Sequence, residues 1–283
     1  MVNWPKPLVR EIADRRVLIF VGSGISKAAR PETPTWSALL EELKEQLPKR
    51  TEKKFISGLI KSGSLLDAAQ AISDGLDQAV VNEFIREKFQ IRPMVHNEIY
   101  KSILDLDLKT IITTNYDEFL EKNFEHFSGG IEAYNISKHT STDLLDRIRS
   151  PGRTIIKIHG CVSEPNKIVL DRTSYFKARQ KNYGFFNILS SMFTVNTVLF
   201  IGYSMNDPDM QIILENINIH SESSHGHYCL ISKQSHSSIT KAMKSTYNIL
   251  CLEYPKDGHS NVPDYLKTLS ESVRQDRAAR GIV

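Results

Sequence analysis

The residues able to do chemistry fall in four short clusters. Gly22-Ser23-Gly24-Ile25-Ser26 combines two glycines with two hydroxyls. Such a stretch can form a tight turn and bring backbone N–H groups against a phosphate, with Ser23 and Ser26 as further donors; it can equally be a plain turn. The third glycine of the dinucleotide-binding fingerprint is missing. Thr113-Thr114-Asn115-Tyr116-Asp117 carries an amide that can both donate to and accept from a sugar hydroxyl or a water. Asp117, with Glu118 and Glu121 after it, also suits the N-cap and first turn of a helix. Lys157-Ile158-His159-Gly160 supplies an imidazole, whose ordinary pKa of about 6.5 suits proton transfer near neutrality, so His159 is either a general base or a satisfied structural histidine. In Gly202-Tyr203-Ser204-Met205-Asn206-Asp207-Pro208-Asp209, a Gly-x-Ser loop able to bond a ribose or phosphate leads into a helix start. There Asp207 is the N-cap and Pro208 the first helical residue.

Each cluster follows a short apolar, β-branched run: Arg16–Val21, Lys109–Thr113, Thr154–Ile158 and Thr197–Ile201. Two further runs, His227–Ile231 and Asn248–Leu252, complete a set of six strands alternating with helical patterns. That alternation predicts an α/β fold: a Rossmann-like parallel sheet of about six strands flanked by helices. Ligands of open α/β sheets bind outside the carboxyl ends of the strands, so all four clusters would meet on one edge as a nucleotide pocket with a base in it. From Trp36 to about Leu106 the pattern is helical only, with stripes at Leu39, Leu40, Leu43 and Leu47 and at Phe84, Ile85, Lys88 and Phe89. It predicts a small helical lobe (about 36–106) inserted into one domain spanning 1–283, or else helices packed on the sheet itself. A last helix, Val262–Arg280, ends in Arg274, Arg277 and Arg280, which complement its dipole from a solvated face. The pair His225-Gly226-His227 leads into its strand, on the opposite edge, and carries no catalytic or metal expectation.

Composition bounds the function classes. Thirty-six Lys and Arg against 33 Asp and Glu leave a net charge of +3, too small for a nucleic-acid footprint. The 40% hydrophobic and 24% charged fractions are those of a folded soluble chain. The longest apolar runs fall far short of the roughly 20 residues that span a bilayer. The N-terminus lacks a secretory pattern, so a cytoplasmic location is expected. Cys161, Cys229 and Cys251 are odd in number and include no Cys-x-x-Cys pair, which supports neither a disulfide framework nor a structural zinc site.

Gly22-Ser-Gly-Ile-Ser26, Thr114-Asn-Tyr-Asp117, Lys157-Ile-His-Gly160 and Gly202-Tyr-Ser204, in this order over roughly residues 15–255, resemble the ordered motifs of the sirtuin superfamily. The form Gly-Tyr-Ser-x-x-Asp-Pro-Asp is similar to its prokaryotic antiphage-defence branch. Two features of the protein deacetylases are missing: the zinc ribbon with two Cys-x-x-Cys pairs, and a Pro-Asp-Phe-Arg-type segment, in whose place stands Pro34-Thr35-Trp36. The resemblance implies an NAD+ hydrolase with NAD+ as substrate and no metal. It would cleave the nicotinamide–ribose bond to give nicotinamide and ADP-ribose, depleting NAD+ in an abortive-infection response. By the same resemblance His159 is the base and Asn115 orients ribose or water, with Asp117 a secondary polar contact. Gly22, Ser23, Gly24 and Ser26 hold the pyrophosphate, and Gly202 and Ser204 touch the adenosine-side ribose. It further implies a homo-oligomer, a separate sensor or activator protein, or both. The rival implications are a module that binds NAD or ADP-ribose without turnover, and a sirtuin-type protein deacylase or ADP-ribosyltransferase.

Overall fold

The computed structural model describes residues 2–90, 94, 96–130, 134–220, 226–234 and 236–282, so His225 lies outside the described residues. In chain order the elements are α1 (Lys6–Ala13), β1 (Val17–Val21), α2 (Ser23–Ala29), α3 (Trp36–Leu43), α4 (Arg50–Lys61), α5 (Leu65–Gly75), α6 (Gln78–Phe89) and α7 (Glu98–Leu104). Then come β2 (Thr110–Thr113), α8 (Phe119–Phe127), β3 (Asn135–Lys138), α9 (Leu144–Arg149), β4 (Thr154–Lys157), α10 (Arg172–Lys181) and α11 (Tyr183–Val195). The chain closes with β5 (Thr197–Ile201), α12 (Pro208–His220), β6 (His227–Ser232), α13 (Ser237–Tyr247), β7 (Ile249–Tyr254) and α14 (Val262–Arg280).

The strands form one parallel sheet in the order β3-β4-β2-β1-β5-β6-β7. All six expected strands are present, and β3 is a seventh. Its sequence, Asn-Ile-Ser-Lys, has one aliphatic residue, and as an edge strand it is buried only at Ser137. The central strands are buried throughout because helices cover both faces, which is why they appear as continuous apolar runs rather than alternating ones. Within β1, Val17, Ile19 and Val21 pack towards α1, α7, α8 and α14, while Leu18 and Phe20 pack towards α9 to α12.

A third core lies away from the sheet faces. Leu39, Leu40, Leu43, Ile56, Ile72, Phe84 and Phe89 from α3 to α6 enclose it, and Tyr116, Cys161 and Val162 from the loops after β2 and β4 complete it. The helix α7, within the same helical stretch of sequence, instead sends Ile99, Tyr100 and Ile103 into the sheet core. At the far end of α14, Arg277 is half-buried rather than on a solvated face. Its guanidinium donates to the carbonyls of Ile12 and Ala13 at the end of α1 and pairs with Asp107 at 3.4 Å. All three cysteines are free. No helix among the described residues is long and apolar enough to cross a membrane.

Candidate functional site

From β1 the chain builds β2, β3 and β4 on one side and then returns to place β5 on the other. The carboxyl ends of β1 and β5 are therefore the topological switch point where a crevice opens. Two of the four sequence clusters join there backbone to backbone: Gly22 N donates to Ile201 O at 2.9 Å and Gly24 N to Gly202 O at 2.8 Å. A Cβ at Gly22 would meet Gly202 O and stand 2.7 Å from Tyr203 Cα, so a side chain is excluded. Gly202 adopts φ +58°, the left-handed region that favours glycine. The helix α2 starts at Ser23 with Gly22 as its N-cap, so the glycine stretch is a helix start rather than an extended loop.

A cavity opens at this edge, between the strand ends and the helical lobe. Ser23, Asn115, Asp117, His159 and Ser204 line it from the sheet side, and Pro34, Thr35 and Trp36 from the lobe side. Thr35 caps α3 through its hydroxyl, which places Trp36 at the first helical position over the cavity.

The floor is a buried polar chain. Thr113 Oγ1 donates to Val21 O at 2.7 Å and accepts from Asn115 N at 3.0 Å, fixing the turn after β2. Asn115 Nδ2 then donates to Ser26 Oγ at 3.0 Å, and Ser26 Oγ donates to Asp117 Oδ2 at 2.8 Å. The Asn115 carbonyl oxygen is left for the cavity. Asp117 Oδ1 accepts from Phe119 N at 3.1 Å, so Asp117 does serve the start of α8, one residue later than the sequence places it. Burial pushes the Asp117 carboxyl above its ordinary range, against Lys157 and Ser26, which hold it down. Lys157, fully buried, donates to the backbone carbonyl of Asp117 and to Glu121 Oε1 at 2.8 Å. Burial pushes its ammonium down, but Glu121, Cys161 and Asp117 together outweigh that and keep it charged.

His159 sits opposite, 4% exposed, with its ring edge-on to Tyr175 at 4.8 Å between centroids. Its Nε2 is 3.3 Å from Asp207 Oδ2 and forms no aligned hydrogen bond. Burial lowers its pKa, with Asp207 pulling the other way, so the imidazole is held neutral and able to take a proton. Asp207 Oδ1 accepts from Asp209 N at 3.0 Å and Met210 N at 3.2 Å, the N-cap expected for α12. Asp209, 1% exposed, has an ion pair to Arg179 at 3.3 Å and no hydrogen bond to its carboxylate; burial and the nearby Asp207 push it up to about 7.

Of the nine residues singled out from sequence, five line the cavity: Ser23, Asn115, Asp117, His159 and Ser204. Gly22, Gly24 and Gly202 instead form the backbone seam beside it. Ser26 lies behind the wall, where its hydroxyl is committed to Asn115 and Asp117. Sequence reasoning missed Tyr175, which reaches the site from α10, and it gave Asp207 only a capping role. The Ser-x-x-Asp spacing after β5 was the one available signal for Asp207. A larger cavity lies at the opposite edge, against Arg16, Asn196 and His227. None of the nine residues faces it, and His227 there is structural: its Nδ1 accepts from Val198 N at 3.2 Å and burial pushes its pKa down to about 4.

The model of the SIR2-like domain matches residues 109–252, from the start of β2 into β7 and just over half of the chain. The chain is 26% identical to NAD(+) hydrolase ThsA of Bacillus cereus (strain MSX-D12), over 81% of its own length and 46% of the relative's. It is 28% identical to NAD(+) hydrolase ThsA of Acinetobacter baumannii (strain 532279), over 86% and 48%. Defense-associated sirtuin 2 of Bacillus subtilis matches at 23% identity over 76% and 20%. The chain thus spans about half the length of the ThsA relatives. A solved chain from work on the mechanism and regulation of Sir2 enzymes aligns over 96% of this chain and 97% of its own, at a TM-score of 0.44 and 12% identity. With a motif-bearing sheet edge on one side and a family match running from β2 to β7 on the other, the chain belongs to the SIR2-like domain family.

Proposed function

We propose that this chain hydrolyses NAD+ at the bond between nicotinamide and ribose. The observation that carries the reading is the convergence of Asn115 and His159 on one cavity at the sheet's switch point, with a buried neutral imidazole and an amide whose carbonyl is uncommitted. The relatives named NAD(+) hydrolase support it.

In the proposed step, water attacks C1′ of the nicotinamide riboside half and the C1′–N bond breaks. Its electron pair returns to the pyridinium nitrogen, and the water's proton passes to His159. Nicotinamide and ADP-ribose leave. Asn115, held by Ser26, orients the ribose or the water, and Asp117 is a secondary polar contact. Ser23 takes the pyrophosphate, placed by the Gly22 and Gly24 seam whose own N–H groups are spent on Ile201 O and Gly202 O, with Ser26 acting through Asn115. Ser204 and the Gly202 backbone meet the adenosine-side ribose. Such a bond breaks through an oxocarbenium-like state, which benefits from a walled cavity that limits bulk water. No step calls for a metal.

We place the activity in NAD+ depletion during defence against phage, in the cytoplasm, with control by self-association or by a separate activator. The test is nicotinamide release from NAD+ by the purified protein across a concentration series. His159→Ala and Asn115→Ala should each reduce turnover by about a hundredfold or more. Undiminished turnover in both variants, or NAD+ binding without any product, overturns the reading.

A further inference from the structure

Two side chains from separate elements, Tyr175 and Asp207, meet at His159 in an arrangement that the capping of α12 does not require. Tyr175, from α10, donates its hydroxyl to Asp207 Oδ2 at 2.8 Å, and the same hydroxyl lies 3.5 Å from His159 Nδ1. Asp207 Oδ2 in turn lies 3.3 Å from His159 Nε2. The phenol and the carboxylate oxygen bound to it therefore bracket the imidazole, at Nδ1 and beside Nε2, and Nε2, with no aligned hydrogen bond, keeps its lone pair for the incoming proton. Asp207 divides its work between its two oxygens: Oδ1 takes the α12 amides and Oδ2 takes Tyr175 and His159. Tyr175 is itself held by stacking on Trp36 at 6.4 Å.

We propose that Tyr175 and Asp207 are positioning residues that fix the ring orientation and tautomer of His159 and stabilise the proton it takes up. The proposal rests on the reading of His159 as the base of an NAD+-cleaving site. A carboxylate within 4 Å favours the protonated imidazole, whereas burial alone would leave it a weak base. The surrounding groups leave that role to Asp207. The phenols of Tyr116, Tyr175 and Tyr203 are driven upwards by burial and stay neutral. His139, from the loop after β3, is pushed down to about 4 by burial and by His159, so it too is neutral. Asp209, whose carboxylate lies within 4.8 Å of His159 and Asp207, is pushed up to about 7 by burial and by Asp207, against its ion pair with Arg179.

The discriminating variant is Asp207→Asn, because asparagine caps a helix as well as aspartate does while removing the charge. It should melt with wild-type Tm, keep KM for NAD+ within about twofold, and lose about tenfold or more in kcat. The acid limb of its pH–kcat/KM profile should move to lower pH by about one unit, since loss of the opposite charge lowers the pKa of His159. Tyr175→Phe keeps the ring contact and should lose about tenfold in kcat, also with little change in KM. Ring 15N NMR of His159 in histidine-labelled protein, assigned with His159→Gln, supplies a readout that needs no turnover. In Asp207→Asn either the midpoint falls or the tautomer ratio changes. An unchanged midpoint together with an unchanged tautomer overturns the proposal, as does a raised KM with intact kcat, which would make Asp207 a substrate ligand. A protein that fails to cleave NAD+ but shows the NMR coupling would instead overturn the functional reading and leave the bracket standing.

Discussion

Ser26 Oγ and Asp117 Oδ2 are 2.8 Å apart and wholly buried, although 91 residues of sequence separate them. The same hydroxyl accepts from Asn115 Nδ2, so one serine on α2 fixes two side chains of the turn after β2. Ser26→Ala should leave a buried carboxylate oxygen and an amide without their partner, at a cost of about 1–3 kcal/mol in urea unfolding. Turnover should fall with it, because Asn115 is no longer held.

Gly22→Ala should destabilise by about 1–3 kcal/mol, since its Cβ would collide with the backbone at Gly202 and Tyr203, which the sheet holds in place. Gly58→Ala is the matching control. Gly58 lies inside α4 with nothing within 4 Å of where an alanine methyl would stand, so alanine there should stabilise by about 0.5–1 kcal/mol. Equal effects at the two positions, measured by thermal melts, would contradict the seam between the β1 and β5 ends.

Lys157→Met should cost about 3–5 kcal/mol by stranding the carboxylate of Glu121 beside an apolar side chain. The double variant Lys157→Met with Glu121→Gln should recover part of that loss. Denaturant curves for the four proteins of this cycle give the coupling directly.

Asp209→Asn should stabilise the protein in mildly alkaline buffer. The carboxyl has an ordinary value of 3.8 and is pushed up to about 7 in the folded chain, so between those values the folded state binds more protons than the unfolded one. Stability contributed by the protonated group is present below about pH 4 and is lost as pH rises through 7. The variant's advantage should therefore be absent near pH 4 and reach the order of a few kcal/mol at pH 8, read from urea curves at each pH. A constant difference across that range would contradict the raised value.

The sheet was legible because its central strands are short apolar runs, each ending at a glycine, an amide or a histidine. The strand β3 was not, since an edge strand with one buried position leaves almost no hydrophobic pattern. The site was legible wherever chemistry follows directly on a strand, as at Asn115 and His159. Ser26 was legible as a hydroxyl near the site, but its direction was not: whether it faces outwards or sideways into Asp117 is decided by how α2 packs. Tyr175 left no trace at all, because its place at His159 comes from how α10 packs rather than from any local spacing. Arg277 shows the converse, an arginine at a helix end whose partners are carbonyls of a helix about 264 residues away in sequence.

Tyr116 stands between Asn115 and Asp117, and its ring is packed into the lobe. It lies edge-on against Phe89 at 5.5 Å between ring centroids and anchors its hydroxyl on Val169 O at 2.7 Å. One residue of the turn is thus a rivet in the lobe's core, while its two neighbours are working surfaces of the site. Any force that loosens α3 to α6 is delivered through that rivet to the amide and the carboxylate on either side of it, so the cohesion of the lobe and the alignment of the site are a single mechanical property.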